Sequence, residues 1–198
     1  MPSRRMPRIV APVAAALLLA GCAPGGSTGD GADVPAEVAQ RLDAIDAAVS
    51  AWQAAGDLES AQRSAEDARN LIEGPGGPDY GDGDGDGTVA GATEAGLLPG
   101  LGGEPGLAQP PLNDCVERDV LGGSWDDPQR RWDVFADTLA AWSPGNNTMP
   151  TLPSHPQRVV GWATLTLESG SLDEAHEYAG HARLHVDISR AAYESCPG

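Results

Sequence analysis

AAGDLESAQRSAEDAR, residues 54–69, is answered 114 residues later by ESGSLDEAHEYAGHAR, residues 168–183. Laid over each other, Gly56 meets Gly170 and Leu58 meets Leu172. Ala61, Ala65, Ala68 and Arg69 meet Ala175, Ala179, Ala182 and Arg183, and Ile72 falls opposite Val186. Small residues three and four apart mark a helix face that lets a neighbouring helix come close. The glycine ahead of each run stops the helix before it. Each copy follows an apolar segment of helical period, residues 38–56 (VAQRLDAIDAAVSAWQAAG) and 156–169 (PQRVVGWATLTLES). The pattern therefore predicts two helical hairpins, each turning at a glycine.

Local signals sharpen both hairpins. Asp33 and Pro35 start the first helix, Asp57 is a good N-cap for the second, and that second helix should end near Glu73. Ser171 with Glu174 has the spacing of a capping box. Between the hairpins, SWDDPQRRWDVFADTLAAW (residues 124–142) offers one more amphipathic helix, with Trp132, Phe135, Leu139 and Trp142 on or near one face. Residues 95–114 and 143–156 are Pro/Gly-rich, with neither a helical nor a strand period. The expected fold is all-α: a small bundle of two hairpins plus one additional helix, with an irregular Gly/Asp-rich loop. The expected division is a hairpin over 34–73, a loop and connector over 74–114, and a C-terminal helical part over 115–198. The turn G-D-L-E-x-A resembles the turn between paired helices of tetratricopeptide repeats. Copies 114 residues apart nevertheless cannot stack as a 34-residue solenoid.

The N-terminus carries a different message. MPSRRMPRIVAPVAAALLLAGC, residues 1–22, has a basic start, an apolar run too short to span a bilayer, and Leu-Ala-Gly-Cys at 19–22. This resembles the signal peptide and lipobox of bacterial lipoproteins. The resemblance implies that residues 1–21 are removed and that Cys22 receives a lipid, the alternative being an ordinary signal peptide with a chance cysteine. The expected place is outside the cytoplasm, anchored by lipid to the bacterial cell membrane, with an envelope protein as a possible partner. Residues 22–33 form a Gly/Ser tether with a reach on the order of 18 Å.

Losing residues 1–21 removes Arg4, Arg5 and Arg8, taking the formal charge from −17 to about −20, and the chain has no lysine. A chain so acidic lacks the basic patch that phosphate contacts need, so nucleic acid is excluded as a partner. With Cys22 lipidated, Cys115 and Cys196 remain in an oxidising space and are expected to pair, a free thiol pair being the alternative. The bond would restrict the unfolded chain by about 4–5 kcal/mol.

The loop YGDGDGDGTV, residues 80–89, places Asp82, Asp84 and Asp86 at alternate positions ahead of Gly87 and Thr88. Hard Ca²⁺ takes six to eight oxygens, several of them carboxylate, on a backbone that turns at a glycine. The start of this loop resembles an EF-hand calcium loop, which implies ligands at Asp82, Asp84 and Asp86 and at the carbonyl of Thr88. The position of the closing carboxylate is Thr93, and Glu94 one residue later is the expected substitute, with Asp79 as a possible extra ligand. The alternative is a soluble acidic linker. Calcium is the one expected cofactor.

His176, His181 and His185 fall on the last predicted helix, and His181 and His185, one turn apart, could hold a transition metal or haem iron. Half-exposed surface histidines are the alternative. No nucleophile elbow, phosphate loop or lysine base is present, so no enzyme is expected.

Overall fold

The computed structural model describes residues 35–108, 114–144, 149 and 151–195. Among these residues there is no strand. Six helices follow in order: α1 (Ala36–Ala54), α2 (Leu58–Glu73), α3 (Asp114–Asp119), α4 (Pro128–Ala140), α5 (His155–Glu168) and α6 (Leu172–Ser195). Cys22 and Cys196 lie outside the described residues, and with Cys196 lies the expected bond to Cys115.

Both hairpins form where the repeated stretches place them. α1 buries Val38, Leu42, Ile45, Val49 and Trp52, a stripe at steps of three and four. Asp57 then caps α2 by accepting from the Ser60 N–H at 2.8 Å. In the second copy Ser171 accepts from the Glu174 N–H at 3.3 Å and donates its hydroxyl to the Glu174 carboxylate at 3.2 Å. α2 packs against α5 and α1 against α6, so each hairpin lays one helix on each helix of the other pair. The matched alanines Ala61, Ala65, Ala68, Ala175, Ala179 and Ala182 are each fully buried, and they let the backbones approach. Trp52 fills the space between the hairpins and donates its indole N–H to the Ala175 carbonyl at 2.9 Å.

α4 begins at Pro128, with Asp127 accepting from the Arg130 N–H, and buries Trp132 and Phe135 as expected. It docks on α5, while the short α3, which the sequence did not announce, docks on α6. Residues 95–108, expected as a connector without period, are irregular but packed. Leu97 and Leu98 are buried in the common core. Their amides bond to the carbonyls of Leu71 and Ile72 at 3.2 and 3.0 Å, so the connector caps the last turn of α2. Trp132 donates to the Pro99 carbonyl at 2.9 Å and ties α4 to this cap.

Gly74 makes the reversal possible. It takes φ of +62°, and a Cβ there would stand 2.1 Å from the Gly96 nitrogen. Only glycine permits both the left-handed backbone and that contact. The chain thus turns back from α2 and bonds to it again through residues 81–98.

Candidate metal centre

Three polar residues of α2, at steps of four and three, face the returning loop. Glu66 and Asn70 are fully buried, and Glu73 is 1% exposed. They are buried because the loop backbone needs partners. Glu66 accepts from the N–H groups of Gly83 (2.6 Å), Asp84 (3.0 Å) and Ala90 (2.7 Å). Asn70 donates to the carbonyls of Gly81 and Ala90 and accepts from the Gly81 N–H. Glu73 accepts from the Asp79 N–H at 3.0 Å. A loop without secondary structure leaves its amides unpaired, and these side chains supply what a strand ladder would.

Arg41 of α1 closes the other end of the loop. It donates to the carbonyls of Leu71 and Ala95 and to the Thr93 hydroxyl at 2.6–2.7 Å. Thr93, which stands at the closing position of the calcium-loop pattern, is therefore spent on Arg41.

Within the acidic tract each aspartate folds the chain on itself. Asp82 accepts from the amides of Gly85 (2.8 Å) and Gly87 (2.9 Å), Asp84 from Asp86 (3.0 Å), and Asp86 from Thr88 (2.7 Å). Such turns are short-range devices by which Asp competes for backbone N–H groups. They curl residues 82–88 over Glu66. Carboxylate oxygens of Glu66, Asp82 and Asp84 then lie within 4.8 Å of one another, the one such acidic group among the described residues. One Asp84 oxygen, Oδ2, is buried without a hydrogen-bond partner.

The sequence-derived ligands thus divide. Asp82 and Asp84 converge, joined by Glu66, which the sequence did not single out. Asp86 instead pairs with Arg63, whose guanidinium lies 2.9 Å away, and its carboxyl is held below the usual range by the Thr88 amide and by Arg63. Thr88 and Glu94 are exposed. Asp79 gives its amide to Glu73. Asp67 lies beneath Gly91 beside Glu66, and burial with that neighbouring carboxylate raises its pKa.

The charges around the site follow from burial. Glu73 has its pKa raised to about 8, chiefly by desolvation and then by Asp79. Arg69, buried beneath Gly83, reaches the Gly81 carbonyl at 3.5 Å. Oxygen donors are what Ca²⁺ takes, at 2.3–2.6 Å, and opposite ligands of one ion stand up to about 5 Å apart. Glu66, Asp82 and Asp84 fit that ion in donor type and in span.

The histidines are arranged differently from the expected pair. His181 stacks on Trp162, with ring centroids 4.4 Å apart and planes 18° off parallel. His176 bonds to the Ala55 carbonyl at 3.0 Å and joins the two hairpin turns. His185 turns instead to His155, the first residue of α5, with their Nδ1 atoms 2.9 Å apart. Burial lowers the pKa of both, that of His185 to about 3 with help from His155. The two positions are 30 residues apart, so helical spacing could not have shown them together.

No helix among the described residues is long and apolar enough to cross a membrane. Comparison of the chain with protein-family models, with curated proteins and with solved structures found no match, so the chemistry of the site is read from its own residues.

Proposed function

We propose that this chain is an extracytoplasmic lipoprotein whose helical module binds one calcium ion and serves as a structural or partner-binding element, without catalytic activity. The carrying observation is the convergence of Glu66, Asp82 and Asp84 beneath a glycine-rich loop, with the buried Oδ2 of Asp84 unsatisfied. Three carboxylates held together repel one another, and a divalent ion would relieve that repulsion and tie the loop to α2. The ion would supply charge neutralisation and oxygen coordination; the chain supplies a loop already shaped by its own turns. The rest of the reading rests on the lipobox: lipid on Cys22, a short tether, and a Cys115–Cys196 bond suited to an oxidising compartment. An envelope protein is the partner class that this placement favours.

Calorimetric titration of Ca²⁺ into the chain from residue 23, beside an Asp82→Asn, Asp84→Asn double variant, tests the metal reading. Heat of binding in the first that disappears in the second supports it; equal heats, or none at several millimolar, would end it. Membrane fractionation of cells expressing the full chain and its Cys22→Ser variant tests the anchor, with release of the variant as the expected result.

A further inference from the structure

We infer that His155 and His185 form a second metal site, separate from the acidic loop and suited to a divalent transition ion of the Cu²⁺ type. The two rings come from different helices and are both fixed. His155 follows the Ser154 cap, and its amide bonds to the Val120 carbonyl at 2.9 Å. His185 sits in the middle of α6, where the Ser189 hydroxyl of the next turn bonds to its carbonyl at 2.9 Å. Each ring turns Nδ1 toward the other, at 2.9 Å, with centroids 5.1 Å apart and planes 42° off parallel.

That separation has a second meaning beyond a hydrogen bond. Imidazole nitrogens bind such ions at about 2.0–2.1 Å. Two of them at a right angle on a tetragonal ion therefore stand about 2.9 Å apart, the arrangement Cu²⁺ prefers. The ring that donates in the pair would move its proton from Nδ1 to Nε2, freeing both Nδ1 lone pairs without changing the charge of either ring. Asp119, whose carboxylate Arg118 holds at 2.6 and 2.7 Å, acts electrostatically on His155 without being one of its ligand neighbours. Arg158 also acts electrostatically on both rings, while its Nε donates to the Leu152 carbonyl at 2.6 Å. His185 is 8% exposed whereas His155 is half-buried, so an ion reaches the pair from the α5 end. His181 is outside the site, engaged with Trp162.

The test is titration of Cu²⁺ into the calcium-saturated full chain, followed by calorimetry and electron paramagnetic resonance. One equivalent should bind, with the hyperfine pattern of two imidazole nitrogens. His155→Gln and His185→Gln should each weaken binding at least tenfold, and His181→Ala should leave it unchanged. Absence of binding, undiminished binding in either Gln variant, or loss in His181→Ala would overturn the assignment. Should His185→Gln fail to fold, as judged by circular dichroism, the wild-type spectrum decides, since a signal without two nitrogens contradicts the site.

Discussion

α2 and α6 carry the same alanine stripe, yet the faces beside it have opposite fates. In α2 the residues are Glu66, Asn70 and Glu73, all buried under the returning loop. Their counterparts in α6 are Gly180, Leu184 and Asp187. A Cβ at Gly180 would meet nothing within 4 Å, and Leu184 is 55% exposed. The duplicated hairpin therefore supplies the bundle, whereas the polar triplet supplies a floor for a loop. Buried polar residues on one copy and an open face on the other separate what holds the helices together from what builds the site.

The comparison breaks most sharply at Glu66. Glu66→Ala removes the acceptor of three amides, and buried groups left unsatisfied cost about 1–3 kcal/mol each. We expect a loss of about 3 kcal/mol or more in urea unfolding, while Gly180→Ala at the matching position stabilises α6 by up to about 1 kcal/mol. Losses of similar size at both positions would mean that the two faces do not differ. Asn70→Ala should cost about 2 kcal/mol, since three bonds to the loop disappear. Its counterpart Leu184→Ser should stay within about 0.5 kcal/mol in the same assay.

A smaller effect is read in pH. Burial pushes the Glu73 carboxyl up to about 8 in the folded chain, whereas the unfolded carboxyl ionises near 4.5. Its stabilising contribution is complete below pH 4.5 and is lost as pH rises towards 8. Glu73→Gln should therefore flatten the stability profile between these limits and strengthen the fold at pH 8 by on the order of 2 kcal/mol. Asp187→Asn, at the exposed equivalent place, should change stability by no more than about 0.5 kcal/mol. A profile identical in wild type and Glu73→Gln would show that Glu73 is ionised in the fold.

The bundle was legible because its signals are local. Apolar steps of three and four, Asp57 and Ser171 as caps, and glycine at each turn all act within one or two helical turns. The floor of the site was not, because Glu66, Asn70 and Glu73 read as an ordinary solvated face until residues 74–108 are folded back on them. The signal available was the contrast between the copies: a polar triplet in one against Gly180, Leu184 and Asp187 in the other. Glu94 looked like the closing carboxylate because it follows in sequence, yet the carboxylate that joins the group comes from the helix before the loop. His155 escaped for a similar reason, since its partner lies across a helix pair.

The most direct measurement is the Ca²⁺ affinity of Glu66→Gln set beside that of Glu94→Gln. A site built from α2 and the curled loop predicts at least tenfold weaker binding for Glu66→Gln and no change for Glu94→Gln. Loss confined to Glu94→Gln would place the ion in a loop closed by its own sequence and would contradict the role given to α2.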